Sequence, residues 1–360
     1  MLLAIKEMKY DKLKYSLVIG IMVLIAYVVF MLSGLADGLK IEFRQVVDDW
    51  NGQEIVVNEN ANRSILGSML DEKDLKQIEG TETAPLGFVN AVAERGDAQE
   101  NVAIFSTTTD AFILPSLIEG EMYTDDDKKE VIISEDLLEK GFKLNQDIKF
   151  GQSDDSFKIV GVFEKTSYSA LPVVYTSLSN WRALKFPNQN TQANEMAPIS
   201  AIVLENKGTI NKDEVENGNS LEKLSKQMFI NELPGYTEQD LTLTGMVYFL
   251  FVIVVAIIGI FMYVMTLQKQ SLFAVMKVEG VRTSFIATSM LYQSLLIGVF
   301  GVAIAFLLAV LTAQILPSGM PFAIEYQRWA LYSGVLIIVA VLGGIFSLKT
   351  VTKVDPISAI

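Results

Sequence analysis

The chain has 360 residues, of which 51% are hydrophobic and only 20% are charged, and this is too apolar for an ordinary soluble protein of two domains. It contains no histidine and no cysteine, which excludes serine–histidine hydrolases, histidine or thiolate metal sites, disulfide frameworks and most redox enzymes. Its net charge of −13 argues against nucleic-acid binding, because that requires a basic surface. Membrane proteins and partner-binding proteins remain.

Four stretches lack Asp, Glu, Lys and Arg and are long enough to cross about 30 Å of hydrocarbon as helices: 15–35, 241–267, 283–316 and 329–348. A charge at mid-membrane disfavours insertion by roughly 3 kcal/mol, so these runs predict four membrane spans. The apolar core of the first is longer than the roughly 7–15 residues of a signal peptide, which predicts an uncleaved anchor. The third is longer than a bilayer needs, so its helix is expected to tilt or to project from one surface.

The basic residues predict an orientation. The segments 1–14, 268–282 and 349–360 hold nine Lys and Arg residues and four acids, a net charge of +5. The long segment 36–240 holds 19 basic and 37 acidic residues, a net charge of −18. Because positively charged loops stay in the cytoplasm, both termini are predicted to be cytoplasmic and the long segment to lie outside.

The predicted organisation is a cytoplasmic amphipathic N-terminal segment, four transmembrane helices, a large extracytoplasmic α+β domain inserted between the first two, a cytoplasmic link, a short outer loop and a cytoplasmic tail. In chain order the boundaries are 1–14 (N-terminal segment), 15–35 (TM1), 36–240 (α+β domain), 241–267 (TM2), 268–282 (link), 283–316 (TM3), 317–328 (outer loop), 329–348 (TM4) and 349–360 (tail).

Within 36–240, short runs rich in Val, Ile and Phe predict strands at 54–57, 102–106, 130–133, 147–150, 157–163 and 201–204. Polar residues at the start and a glycine after the end predict helices at 71–79 and 134–140. The stretch 187–194 is rich in turn formers and is predicted to be a mobile loop. The acidic triplet 125–127 lacks the EF-hand pattern, so it indicates a solvated turn rather than a calcium site.

The motif G-x-x-x-x-G-K-[ST] is absent, so any ATPase that drives this protein is predicted to be another polypeptide. In the link, Phe273, Met276 and Gly280 can share a helical face while Lys277 stays solvated. Such an amphipathic helix suits docking into a groove of a partner. The alternative is an interfacial helix that merely lies on lipid.

The order of one span, a large outer domain and three spans resembles the FtsX/MacB-type ABC transporter permeases, as do the link and the terminal sequence K-V-D-P-I-S-A-I at 353–360. Within that family the chain most resembles the HrtB haem-efflux permeases of Gram-positive bacteria. This resemblance rests on the sequences L-A-I-K-E (3–7), L-S-G-L-A (32–36), Y-V-M-T-L-Q-K (263–269) and M-P-F (320–322). The link departs from the pattern, because relatives read E-I-G-I-L-[KR]-A-[IL]-G where this chain has L-F-A-V-M-K-V-E-G.

The resemblance implies an α-helical membrane protein with four transmembrane helices and one large extracytoplasmic α+β domain, the MacB-like architecture of type VII ABC exporters. It implies a permease rather than an enzyme, a separate HrtA-like ATPase that binds ATP, a homodimer of this chain in the cell membrane, and haem as substrate without an intrinsic cofactor. ATP-driven dimerisation of the ATPase would pull the link and rock the spans. Two alternatives remain open: export of a peptide, antibiotic or lipid-linked molecule, and an FtsX-like signal relay to an outer-face hydrolase.

Haem iron is held in proteins by His, Cys, Met or Tyr, and this chain lacks the first two. Ferric iron also accepts oxygen ligands, which directs attention to Tyr, Glu and Asp near the outer surface of the membrane. The candidates are Glu42, Tyr168 and Tyr236, with Arg44 or Lys40 to pair with propionates. Glu42 and Tyr168 fall where the HrtB-like pattern has Glu and Tyr. The alternative roles are an interfacial anchor for each Tyr and a solvated helix end for Glu42.

Overall fold

A computed structural model describes residues 2–352 except 97, 126–127, 152–154, 188–195, 212–217 and 318. Most of the predicted loop at 187–194, two residues of the acidic triplet and the terminal sequence at 353–360 therefore lie outside the described residues. The chain divides into two compact units. The sheet unit is Lys40–Glu238, and the helical unit combines Met1–Leu39 with Gln239–Ile360.

The described residues form nine α-helices. In chain order these are α1 (Leu2–Tyr10), α2 (Lys12–Asp49), α3 (Asp136–Glu139), α4 (Leu178–Lys185), α5 (Lys226–Asn231), α6 (Tyr236–Gln268), α7 (Gln270–Val278), α8 (Thr283–Ala313) and α9 (Tyr326–Thr352).

Among the described residues, α2, α6, α8 and α9 are the four helices long and apolar enough to cross a membrane. They include the uncharged stretches seen in the sequence, except that α8 ends at Ala313 rather than at residue 316. The first helix does not end with its uncharged run. It continues to Asp49, because residues 36–49 contain no proline and place Val46 and Val47 in the core of the sheet unit.

The helical unit has an apolar interior with an aromatic cluster at one end. The ring of Phe30 lies 5.0 Å from that of Trp329 and 5.8 Å from that of Phe306. The connection between α8 and α9 packs Phe322 directly on the backbone of α2, where a Cβ on Gly34 or Gly38 would overlap it or its neighbour. Two sequences that carried the family resemblance, 32–36 and 320–322, therefore lie in contact.

The described residues of the sheet unit form fifteen strands. They are β1 (Glu54–Asn58), β2 (Leu70–Asp71), β3 (Ile78–Glu79), β4 (Thr83–Arg95), β5 (Ala98–Ser106), β6 (Leu117–Gly120), β7 (Glu130–Ser134), β8 (Asp147–Phe150), β9 (Ser156–Phe163), β10 (Ser167–Tyr168), β11 (Leu171–Thr176), β12 (Pro198–Ile199), β13 (Ala201–Leu204), β14 (Thr209–Ile210) and β15 (Leu221–Ser225).

Eleven of these strands form one mixed sheet in the order β10-β11-β7-β9-β8-β4-β13-β1-β15, with β5 between β11 and β4 and with β6 beside β9. The long strand β4 holds its two halves together, because its first residues pair with β13 and its last with β5 and β8. Two further pairs, β2 with β12 and β3 with β14, lie apart from this sheet.

The central strands are buried on both faces. Phe105 of β5 and Ile132 of β7 belong to the core cluster that also holds Trp50 from the end of α2. Their neighbours Ile104 and Val131 point to the opposite face and into a second cluster. This alternation follows from the two-residue period of a strand, and the cluster that contains Trp50 attaches the end of α2 to the sheet.

The six predicted strands are confirmed as parts of β1, β5, β7, β8, β9 and β13. The longest strand, β4, was not predicted, and it contains Pro85 and Gly87, residue types that are uncommon within strands. Gly87 is in fact required, since a Cβ there would overlap the ring of Trp181 and the hydroxyl of Ser106.

The two predicted helices of this unit were largely wrong. Residues 71–79 form only a 3-10 helix, Glu72–Gln77, because Asp71 and residues 78–79 belong to the strands β2 and β3. The buried Asp74 carboxylate accepts a hydrogen bond from the Asp71 amide at 2.9 Å and caps the start of this short helix. Of 134–140, only the single turn α3 is helical, and Ser134 belongs to β7.

Candidate functional site

The hairpin of β10 and β11 is fastened to the last part of α2. The amides of Ser169 and Ala170 donate to the carbonyl oxygens of Phe43 and Glu42 at 2.9 and 3.0 Å. Gln45 donates through its side-chain amide to the Lys165 carbonyl at 2.9 Å, and the Thr166 hydroxyl donates to the Asp49 carboxylate at 2.7 Å. These bonds between residues 42–49 and 165–170 are called the helix–hairpin contact below.

The turn of this hairpin has an unusual backbone. Tyr168 pairs with Leu171, so Ser169 and Ala170 form a two-residue loop. Both have positive φ, 50° and 61°, as a type I′ turn requires. Neither is glycine, so the turn carries local strain that its two hydrogen bonds to α2 offset. The turn thus places Tyr168 beside the helix segment that contains Glu42.

Tyr168 lies in the core of the sheet unit, with only 4% of its surface exposed. Its ring packs edge-on against those of Phe88 and Phe105, with centroids 5.1 Å away in both cases. Burial raises the pKa of its hydroxyl, which disfavours the phenolate at neutral pH. The side chain is therefore held as a neutral packing residue in this conformation.

Glu42 is more exposed than the other two predicted oxygen donors, Tyr168 and Tyr236. Its carboxylate lies 4.0 Å from the ammonium of Lys165, which sequence reasoning had not selected. Lys165 also lies near the half-buried Asp136. Burial raises the pKa of the Asp136 carboxyl, and the Ser134 hydroxyl and nearby lysines offset this only in part. One cation between two acids makes this end of the hairpin a small polar cluster.

Arg44 and Tyr236 were predicted to join Glu42 and Tyr168 in one haem site, but their side chains do not lie beside the Glu42 carboxylate. Arg44 pairs with Asp48 at 3.0 Å along the helix, and residues two apart on a helix point to nearly opposite sides, so Arg44 does not share the face of Glu42. Tyr236 begins α6 and is largely buried, with its ring 6.2 Å from that of Phe43. Lys165, rather than Arg44, is the cation beside Glu42.

The predicted coupling link forms the short helix α7. Phe273 is 2% exposed and packs against Ile286 and Met290 of α8. Met276 is half-buried against the same cluster. Phe273 does not point outward, because α7 folds back on α8 and uses this face to cover its own chain. Its predicted role in coupling stays a prediction.

Gly280 ends α7 in a Schellman motif. Its φ is +88°, and the amides of Val281 and Gly280 donate to the carbonyls of Met276 and Lys277 at 2.9 and 3.1 Å. A glycine takes this conformation without strain. Gly280 thus sets the angle between α7 and α8, whereas Lys277 lies half-buried on α7.

The exposed side of α7 carries an apolar stripe that the sequence analysis had not selected. Leu272, Val275 and Val278 recur every three residues and are each about half exposed. Their spacing follows one side of a helix and could have been recognised. The stripe, not Phe273, is the surface that α7 presents outward.

Comparisons with known proteins agree with this architecture. Residues 16–218 match the family model of the MacB-like periplasmic core domain, and residues 244–356 match that of the FtsX-like permease C-terminal. The first match alone spans more than half of the chain.

Full-length relatives are similar over nearly their whole length. A Staphylococcus haemolyticus protein described as a hemin transport system permease, HrtB, is 26% identical over 99% of this chain and 98% of its own. An ABC transporter permease of Mycobacterium bovis is 23% identical over 98% of this chain and 97% of its own. Among solved structures, the extracellular domain of the transporter YknZ from Gram-positive bacteria aligns with 45% of this chain and 84% of its own, at 17% identity and a TM-score of 0.32.

Replacing Ala170 by glycine is expected to stabilise the protein. The substitution relieves the positive φ, which should add about 0.5–1 kcal/mol to the free energy of unfolding and raise the melting temperature by about 2 °C. Ala170→Val should lower it, because a β-branched residue fits this conformation poorly. Thermal unfolding of the full chain in detergent measures both, and a lower melting temperature for Ala170→Gly contradicts the strained turn.

Proposed function

The chain belongs to the ABC transporter permeases that combine a MacB-like periplasmic core domain with an FtsX-like permease C-terminal domain, and from this premise we propose that it expels haem from the membrane. The observation that carries the proposal is the helix–hairpin contact, which brings Glu42 and the Tyr168 hairpin together at the end of the first long helix. The 26% identity to a protein described as a hemin transport permease supports the same substrate.

Glu42 is the principal oxygen ligand for ferric haem in this proposal. A carboxylate is a hard donor suited to a hard ferric ion, and the Glu42 side chain is partly exposed, at 22%. Lys165, next to it, supplies a positive charge for a propionate once the Glu42 carboxylate binds iron. Tyr168 is the second donor, and its use requires the hairpin to move off Phe88 and Phe105.

The energy for export comes, in this proposal, from a separate ATPase that binds the exposed stripe of α7, and the permease works as a symmetric pair. Leu272, Val275 and Val278 offer an apolar surface of the kind that fits a groove on a partner. Export by mechanotransmission would then proceed from α7 through the membrane helices to the sheet unit, without passage of haem through an aqueous channel.

The sheet unit lies outside the cell and α7 inside, according to the charge asymmetry of +5 against −18. The chain has no cysteine of its own, so single cysteines can be introduced cleanly. Glu119→Cys in β6 and Ser271→Cys in α7 are both exposed positions. An impermeant thiol reagent on intact cells should label the first and not the second, whereas the reverse pattern overturns the orientation.

Glu42→Gln keeps the size of the side chain and removes its charge. It should change the absorption spectrum of the purified protein with added haemin and lower the tolerance of cells to haemin. Tyr168→Phe removes only the hydroxyl and keeps the ring packing. It should change the spectrum less, because Tyr168 is the second donor and is buried in this conformation. Arg44→Gln, on another face of the helix, serves as the matched control.

If both Glu42→Gln and Tyr168→Phe show the haem spectrum of the unmodified protein, these residues are excluded as ligands. A parental protein without any haem spectrum would instead exclude haem as substrate, and the chain would remain an ABC permease for another cargo.

Val275→Asp should reduce assembly with the ATPase or its turnover, since it places a charge in the centre of the proposed apolar contact. Ser284→Asp is the matched control, because it adds the same charge at an exposed position in the first turn of α8, outside the stripe. The measurement is co-purification and ATP hydrolysis of the complex. Equal behaviour of the two variants would mean that the stripe rests on lipid.

A further inference from the structure

A closed ring of polar contacts lies where α6 and α7 meet. Lys269, the residue between the two helices, directs its ammonium at Glu7 of α1 at 3.1 Å. The same ammonium lies 3.5 Å from the carboxylate of Asp11 and 3.4 Å from the hydroxyl of Tyr15 in α2. One side chain therefore contacts α1, the residue that joins α1 to α2, and the first turn of α2.

Gln293 of α8 completes the ring. Its side-chain amide nitrogen donates to the Glu7 carboxylate at 2.6 Å, and its oxygen accepts from the Tyr15 hydroxyl at 2.6 Å. Lys269 thus donates to Glu7 and Tyr15, Tyr15 donates to Gln293, and Gln293 donates to Glu7. Each of the four side chains therefore forms hydrogen bonds with two others of the ring.

The ring is withdrawn from solvent. The side chains of Lys269 and Glu7 are each 14% exposed, and Tyr15 and Gln293 are buried. Burying an ammonium and a carboxylate is costly unless both are paired, and apolar residues of similar size would stabilise helix packing as well. Packing alone does not account for this set.

The ring also separates the charges of the N-terminal segment. Glu7 and Asp11 turn inward to Lys269, whereas Lys6, Lys9 and Lys12 are exposed. The outward side of α1 is therefore basic and suited to the membrane surface. On the inward side, Glu7 and Asp11 pair with Lys269.

The position of Lys269 links this ring to α7. The Phe273 amide donates to the Lys269 carbonyl at 3.0 Å, so the residue whose side chain holds α1 and α2 also begins the first turn of α7. A displacement of α7 must then move Lys269, and through it Glu7 and Tyr15. The helix reached in this way, α2, is the one that ends in the helix–hairpin contact.

We propose that Lys269 is a positioning residue that couples the movement of α7 to α1 and α2. The proposal rests on the function proposed above, in which a partner ATPase acts on α7. It adds the route by which that movement leaves the link: through the ring of Lys269, Glu7, Tyr15 and Gln293 into the first membrane helix.

The contact by which Lys269 fixes α7 to α1 can be tested without the ATPase. Cysteines at Tyr10 and Ser271, both exposed, carry spin labels on α1 and α7 in the full chain, which has no other thiol. The distance distribution between the labels should be narrow in the parent and in Lys269→Arg, which keeps the charge. It should broaden in Lys269→Met. Lys9→Met, an exposed lysine of α1, is the matched control and should match the parent.

The transmission is tested in the complete complex with its ATPase. Haemin exported per ATP hydrolysed should fall roughly 5-fold or more in Lys269→Met, while assembly and basal ATP hydrolysis persist. Lys269→Arg should restore most of the ratio, which a purely structural loss of packing would not allow. Tyr15→Phe removes the hydroxyl, which bonds Lys269 and Gln293, and keeps the aromatic side chain and the Lys269–Glu7 pair. It should give an intermediate value, and it remains informative should Lys269→Met fail to fold.

The proposal would be overturned if Lys269→Met and Tyr15→Phe show the same label distances and the same export per ATP as the unmodified protein. A parent that hydrolyses ATP and exports no haemin would overturn the proposed function instead, and the label distances would still decide whether Lys269 fastens α7 to α1.

Discussion

The sheet unit depends on the helix–hairpin contact. A helix that leaves a membrane usually frays, yet α2 continues to Asp49 because Val46, Val47 and Trp50 enter an aromatic core and because the hairpin amides bond its carbonyls. Lys226 also donates to the carbonyls of Asp48 and Trp50 at 3.2 and 2.6 Å, which satisfies acceptors that the end of a helix leaves open. The end of α2 is thus a structural part of the sheet unit.

The helical unit obeys a different constraint, because polar side chains that are buried between its helices must find partners within the protein. At the ring of Lys269, four side chains satisfy one another. At another point on α2, Asp37 pairs with Arg328 and accepts a hydrogen bond from Ser33 at 3.4 Å. Both sets of contacts involve α2, so this helix is fixed to α8 through Gln293 and to α9 through Arg328. Such fixed contacts suit a helix that transmits movement.

The proposed haem ligands and the proposed coupling surface have one property in common. In both, the residue that looked chemically most apt was buried by packing: Tyr168 between Phe88 and Phe105, and Phe273 against α8. The accessible groups were their neighbours, Glu42 with Lys165 and the stripe Leu272, Val275 and Val278. Aromatic residues bury large apolar areas and are therefore drawn into cores before they are available to ligands.

The sequence by itself determined four helices long and apolar enough to cross a membrane and six strands of the sheet, since these follow from runs of uncharged residues and from local periodicity. It also identified the family. Only the tertiary structure decided that β4 is a strand through Pro85 and Gly87, that Lys165 rather than Arg44 stands beside Glu42, and that Lys269 meets Glu7 and Gln293. These facts join residues far apart in the chain, and no local pattern records which distant side chains occupy the same space.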